Sequence, residues 1–161
     1  MSSWLLVVAL CLGAFSCRTE SPEPTTPPDL LQSTWTIDTS VFVTYYTFVS
    51  GANGAVILSG AADNNTGSIN RGSNFSITFH LPYIPAHGSY VLDCSDESAS
   101  SACMEVSYQG ISYRPKTMSS TAYLKADSTH QRAKITLLPT WFYSTLLTGD
   151  SVSVAGTFYQ P

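Results

Sequence analysis

A short segment near the middle of the chain, Phe75-Ser76-Ile77-Thr78-Phe79-His80-Leu81, alternates between apolar and polar side chains. Successive side chains of a β-strand point to opposite faces, so this period of two places the apolar residues on one face and Ser, Thr and His on the other. A helix would instead need apolar residues three or four positions apart. The segment therefore predicts a strand with one buried face and one solvent-facing face.

The same alternation recurs through most of the chain beyond Gln32. It is clear in residues 122–126, 133–137 and 152–158. Further strand candidates, rich in β-branched and aromatic residues, are 41–49, 55–58, 89–94 and 103–108. No long amphipathic helix can be written, and the total is about eight short strands.

Turn residues separate these strand candidates. Asn53-Gly54 between two candidates is a hairpin signal, and residues 63–67 and 148–150 are rich in Asn, Asp, Gly and Thr. Short strands with one apolar face, spaced by such turns, are typical of an all-β protein. We expect an antiparallel β-sandwich, with a small closed β-barrel as the alternative.

The N-terminus has the features of an export signal. Residues 4–15 are almost wholly apolar, about the length of a signal-peptide core, and Ala14 and Ser16 lie just before Cys17. This arrangement resembles the lipobox of bacterial lipoproteins, in which the chain is cleaved before the cysteine and the cysteine is acylated. The alternative is an ordinary secretory signal without lipid, because Met1-Ser2-Ser3 carries no Lys or Arg. A transmembrane anchor is disfavoured because a span needs about 20 apolar residues.

The sequence divides into three segments on this interpretation. Residues 1–16 are the signal peptide, 17–32 are the lipidated cysteine and a proline-rich linker, and 33–161 are one β-sandwich domain. Residues 21–28 contain four prolines and almost no apolar side chains, which is typical of a semi-rigid spacer.

Composition excludes nucleic acid as a partner. Charged residues are 11% of the chain and its net charge is −4. Beyond the linker the basic residues are scattered: Arg71, Arg114, Lys116, Lys125, Arg132 and Lys134. Nucleic-acid-binding proteins cluster such residues, so we expect that this protein does not bind nucleic acid. We also expect the protein to be a monomer.

Two cysteines remain for the domain. Cys11 leaves with the signal and Cys17 is assigned to the lipid, so Cys94 and Cys103 are left. Outside the cytoplasm such a pair is expected to form a disulfide. Their spacing differs from the Cys-x-x-Cys pattern of redox sites.

The lipobox-like start, the strand pattern and two short segments, Gly88-Ser89-Tyr90 and Gly156-Thr157-Phe158, together resemble small β-sandwich lipoproteins of Bacteroidota whose function is unknown. The likeness spans most of residues 33–161. It implies an envelope lipoprotein, and it brings no catalytic residues with it.

The titratable residues do not make a convincing site. His80 and His87 are close enough in sequence to share a metal, but solvated surface histidines are the better interpretation, and His130 falls in a turn. Acidic residues concentrate at Asp93, Asp96 and Glu97, where a polar loop is favoured over a calcium site. We therefore predict neither a metal nor a cofactor.

Common enzyme signatures are also missing. The sequence contains no Gly-x-Ser-x-Gly, Ser-x-x-Lys, P-loop or His-Glu-x-x-His motif. We therefore predict that the protein is not an enzyme.

The segment Trp141-Phe142-Tyr143 is the one candidate ligand site, because it breaks the strand period and places three aromatics in a row. One interpretation is a loop on which sugar rings stack. The other, which we favour, is that Trp141 or Phe142 fills the core, because three exposed aromatics would form an apolar patch. On this basis Trp141→Ala is expected to cost stability.

The sequence thus predicts a non-enzymatic lipoprotein of the bacterial outer membrane, anchored through Cys17, with an interaction or accessory role and a protein or glycan partner. The alternative function is a glycan or small-ligand module that uses Trp141, Phe142 and Tyr143. The alternative location is outside the cell as a secreted protein.

Overall fold

The computed structural model describes residues 31–44, 46–62, 72–116, 123–129 and 132–161. Within these ranges the regular structure consists of strands alone, which confirms the all-β prediction. No helix there is long and apolar enough to cross a membrane. The eleven strands are β1 (Thr34–Ile37), β2 (Ser40–Val43), β3 (Tyr46–Ala52), β4 (Ala55–Ala62), β5 (Ser73–Phe79), β6 (Gly88–Leu92), β7 (Ser101–Tyr108), β8 (Ile111–Pro115), β9 (Tyr123–Thr129), β10 (Arg132–Ser144) and β11 (Ser151–Tyr159).

All eleven strands belong to one hydrogen-bonded sheet. Ten of them follow the order β2-β1-β11-β10-β9-β6-β7-β5-β4-β3. β8 pairs with both β10 and β7, which closes a ring of β6, β7, β8, β10 and β9. Six strands extend from this ring, with β11, β1 and β2 on the β10 side and β5, β4 and β3 on the β7 side. Every pairing is antiparallel except that of β6 with β7.

The core joins the two sets of strands that extend from the ring. Trp35 of β1 stacks on Phe42 of β2 and meets the ring of Phe75 in β5 edge-on, with ring centroids 5.6 and 5.1 Å apart. The Trp35 indole N–H donates a hydrogen bond of 2.9 Å to the hydroxyl of Ser73, also in β5. Because β1 and β5 are far apart in the strand order, these contacts mean that their inner faces share one apolar core.

The alternating segments behave as the sequence predicts. In β5 the side chains of Phe75, Ile77 and Phe79 are buried and those between them are not. Asn53 and Gly54 connect β3 to β4, and both take positive φ angles, 54° and 79°. This is the conformation that a two-residue hairpin requires, and it confirms the predicted turn.

The expected set of about eight strands was incomplete. Residues 41–49 fall in two strands rather than one, because β2 ends before Thr44 and β3 begins after it. The backbone N–H of Ser33 donates to the Thr44 hydroxyl at 3.0 Å, and the Thr44 N–H donates to the Ser33 carbonyl at 2.9 Å. β1 and β8 were not predicted.

Candidate functional site

A β-bulge in β10 determines which aromatic side chains reach solvent. Up to Leu137 the odd-numbered residues are buried, including Ile135. The register against β11 then shifts between Leu137 and Thr140, where β10 contributes one residue more than β11. The Thr140 hydroxyl donates a 2.8 Å hydrogen bond to the Leu138 carbonyl inside the bulge. One extra residue reverses the facing of every side chain that follows.

After the bulge, Phe142 is buried while its two neighbours face outward. Phe142 is 0% exposed, Trp141 is 58% exposed and Tyr143 is 36% exposed. The prediction that Trp141 or Phe142 fills the core holds through Phe142. Trp141 is mostly exposed, so the stability loss expected for Trp141→Ala has no burial behind it. The segment is also not a loop, because all three residues pair with β11. Trp141 and Tyr143 are two positions apart on one strand, so they lie side by side on its outer face.

The outer face of β11 forms a low floor beside these aromatics. Trp141 lies opposite Ser153, and Tyr143 lies opposite Ser151. Since directly opposed residues of an antiparallel pair share a face, the aromatics rise next to small side chains. The floor consists of Ser151, Ser153, Ala155 and Thr157, all half-buried.

A groove of about 290 Å³ lies at the Ala155–Thr157 end of the floor. Its volume is close to the lower limit of about 300 Å³ for ligand pockets. The residues that line it are Thr34, Trp35, Thr36, Val41, Thr136, Leu137, Ala155, Gly156 and Thr157. This groove could not be predicted from the sequence, because its walls come from β1, β2 and β10 and their proximity depends on long-range pairing.

Two basic side chains, Lys116 and Arg114, lie beside Tyr143. The Lys116 ammonium is 5.4 Å from the centroid of the Tyr143 ring, within the range of a cation–π interaction. Arg114 of β8 lies opposite Tyr143, and its guanidinium forms an ion pair with Glu105, Nη2 to Oε2 at 2.6 Å. Tyr143 therefore has charged neighbours, whereas none of the nine residues that line the groove is charged.

A hydrogen bond secures β8 to the turn that precedes β11. The hydroxyl of Tyr113 donates to a carboxylate oxygen of Asp150 at 2.8 Å. Burial of the ring, with the Asp150 hydrogen bond as the second cause, raises the pKa of Tyr113 to about 12. The phenol is thus neutral at physiological pH and can serve as the donor.

The histidines do not form a joint site with other ligand residues. His87 is exposed, and its Nδ1 is 3.8 Å from Oδ1 of Asp127. His80 follows β5 and is half-buried. In the described ranges, no three His, Cys, Asp or Glu side chains come together as metal ligands would. His130 lies outside the described residues.

The acidic loop, which carries Asp93, Asp96 and Glu97, is held by hydrogen bonds to two of its own carboxylates. Asp93 accepts hydrogen bonds from the hydroxyl and the backbone N–H of Ser95, at 2.7 and 2.8 Å. These bonds, the hydroxyl first, lower the pKa of Asp93. Asp96 accepts the same pair of bonds from Ser98, at 2.8 and 2.9 Å. Glu97 is exposed.

Cys94 and Cys103 are joined by a disulfide, with an S–S distance of 2.01 Å. Cys94 lies just after β6 and Cys103 lies within β7, so the bond closes the acidic loop between these two strands. Cys17 and residues 18–30 of the linker lie outside the described residues, so the lipid anchor stays a prediction.

Comparison with models of protein families, with curated proteins and with solved structures finds no match to this chain.

Proposed function

We propose that the protein is a non-enzymatic binding module that holds a glycan against the rings of Trp141 and Tyr143. The observation that carries this proposal is that both side chains are exposed on the outer face of β10, beside the low floor of β11. Single exposed apolar residues are ordinary, but neighbouring exposed aromatics on one face are typical of a binding surface.

The chemistry around the rings suits a sugar. A pyranose ring has one face of C–H groups, which packs on an aromatic ring, and a rim of hydroxyls that need hydrogen-bond partners. Ser151 and Ser153 supply hydroxyls beside the two rings, and each can donate and accept. Ligand sites typically combine apolar surface with a few polar groups of this kind.

The experiment is a glycan array followed by calorimetric titration of the sugars that bind. Wild type is compared with Trp141→Ala, Tyr143→Ala and the control Tyr83→Ala. Tyr83 is an exposed aromatic (61%) in the segment between β5 and β6, so its loss tests whether any surface aromatic matters. We expect Trp141→Ala to abolish binding, Tyr143→Ala to weaken it, and Tyr83→Ala to leave it unchanged.

Two results would overturn the proposal. One is a wild-type protein that retains no sugar on the array. The other is a Trp141→Ala variant that binds sugars as tightly as wild type does.

We further propose that the module is displayed on the outer membrane by a lipid at Cys17, or is secreted if the signal is cleaved without lipidation. The apolar run before Cys17 and the proline-rich spacer after it support the anchor, as does the resemblance to small lipoproteins of Bacteroidota. The absence of common hydrolase signatures from the sequence supports a binding role.

We also propose that the strands are best described as a β-sandwich, the finer form of the predicted fold. The contact of Trp35 with Phe75 and its hydrogen bond to Ser73 support it, because they bring the inner faces of two sets of strands together. The ring closed by β8 is the feature that a barrel would share.

A further inference from the structure

The four threonines of the groove have side-chain hydroxyls that bind nothing in the described part of the chain. Thr34, Thr157 and Thr136 form one cross-strand row over β1, β11 and β10, and Thr36 lies in the next row, opposite Ala155. No hydrogen bond to any of these hydroxyls is formed among the described residues. Opposed side chains in such a row have Cβ atoms about 5 Å apart, so the hydroxyls form a compact polar surface.

We infer that this groove is a second subsite for the same glycan, and that the ligand is a neutral linear oligosaccharide lying along β11. The inference rests on the proposed function at Trp141 and Tyr143. Its first support is continuity: the outward residues of β11 from Ser151 to Thr157 run beneath both places. The six residue-to-residue steps from Ser151 to Thr157 span about 20 Å, which is several sugar units rather than one.

The groove's chemistry selects the ligand class. Each threonine hydroxyl offers one donor and two acceptor lone pairs, which matches the hydroxyls of a sugar. The groove has no charged lining residue, so it offers nothing to balance the charge of a uronic acid or a sulfated sugar. The walls are also partly apolar, since Val41 is 70% exposed at the rim.

The shape of the groove follows from two features of the sequence. Ala155 is the smallest outward side chain on β11 and lies among the threonines. The bulge at Leu138 and Pro139 lies opposite Ala155, where β10 departs from regular pairing. A larger side chain at position 155 would fill the depression without entering the core.

The test compares a disaccharide with a hexasaccharide in ladders of neutral linear glucans, mannans and xylans, by calorimetric titration of the full mature protein. For the ladder that binds, we expect the hexasaccharide to bind at least about tenfold more tightly than the disaccharide, a difference that the groove supplies. Ala155→Trp should reduce hexasaccharide affinity to that of the disaccharide and leave disaccharide affinity unchanged. An oligogalacturonate hexasaccharide, which is acidic, should gain nothing over its own disaccharide.

A second variant keeps the shape of the groove and removes one hydroxyl. Thr157→Val should weaken the hexasaccharide by about fivefold, which is the loss expected for one hydrogen bond between neutral groups, and leave the disaccharide unaffected. Thermal unfolding of both variants checks that they fold. If Ala155→Trp does not fold, Thr157→Val alone provides the test.

The outcomes separate the two proposals. If Ala155→Trp and Thr157→Val bind the hexasaccharide as wild type does while Trp141→Ala abolishes binding, the groove is not a subsite and the proposed function stands. If the acidic hexasaccharide gains as much as the neutral one, the ligand class is wrong. If no sugar binds, or Trp141→Ala has no effect, the proposed function and this inference both fail.

Discussion

Trp141 and Phe142 are neighbours in sequence with opposite environments, so the same substitution should affect them differently. Phe142→Ala removes a ring that is 0% exposed and should lower the free energy of unfolding by about 3–5 kcal/mol. Trp141→Ala removes a ring that is mostly in solvent and should cost less than about 1 kcal/mol. Urea denaturation of both variants gives the comparison. Equal losses would mean that Trp141 belongs to the core.

Tyr113 should make stability fall at high pH. Its pKa of about 12 lies above the ordinary 10.0, chiefly through burial, so the folded state holds the phenolic proton more tightly than the unfolded state does. This contribution is therefore complete below about pH 10 and is lost as the pH rises through about 12. Tyr113→Phe removes the titration but keeps the ring.

The measurement is the free energy of unfolding of wild type and Tyr113→Phe in urea, at a series of pH values from neutral to pH 12. We expect the difference between the two proteins to shrink as the pH rises above 10, the ordinary pKa of tyrosine. A constant difference would show that the environment of Tyr113 does not favour its neutral form.

At the scale of strands, the sequence was informative where one face is buried and the partner strand does not matter. β5 and β11 have strict alternation, and their buried residues can be assigned from the sequence alone. The bulge in β10 could not be placed in this way, because a register shift is a relation between two strands. Pro139 was the available signal, since proline within a sheet is confined to edges and bulges.

Neither β8 nor β1 had a clear signal in the sequence. β8 follows β7 through Gln109 and Gly110, which both take positive φ angles, 53° and 80°. Glutamine is not among the residues that mark such a turn, so the hairpin gave no clear signal. The groove needed β1 beside β11, a pairing between residues more than a hundred positions apart. Its threonines were visible only as ordinary polar positions of separate strands.

Strand β11 depends on a glycine for the packing of the aromatic core. A Cβ added at Gly156 in β11 would lie 2.7 Å from the Phe158 ring and 2.8 Å from Cβ of Trp35. We therefore expect Gly156→Ala to lower the free energy of unfolding by about 1–3 kcal/mol, the usual effect of overpacking. Gly51→Ala in β3 is the matched control, because its nearest contact would be an ordinary 3.4 Å. Denaturant titration of the two variants tests this; similar losses would contradict it.

The disulfide should act on the connection between β6 and β7 more than on the sheet. Cys94 and Cys103 are 9 positions apart, and a loop of this length restricts the unfolded chain by about 2.5–3 kcal/mol in the entropic model. The double variant Cys94→Ser/Cys103→Ser should lose about this much and keep its far-UV circular dichroism. Wild type reduced with dithiothreitol is the control and should match it. A loss of strand signal would mean that the loop is needed for the core.

At the scale of the whole molecule, the proposed anchor and the proposed binding face are compatible with one role. The sequence predicts a semi-rigid proline-rich spacer between Cys17 and the domain. A binding module displayed through such a spacer is suited to capture a polymer outside the membrane, and a glycan chain is such a polymer.

The anchor itself gives the last prediction. One acyl chain holds a protein only marginally, but the several chains on a bacterial lipoprotein cysteine should give stable attachment. With the full chain expressed in a Gram-negative host, we expect wild type in the membrane fraction, with Cys17 at its N-terminus and a mass that includes acyl groups. Cys17→Ser should leave that fraction or stay unprocessed. Cys11→Ser, a cysteine inside the same apolar run, is the control and should stay attached. A wild-type mature chain found soluble and without lipid would favour ordinary secretion, and the domain would then meet its glycan free in solution.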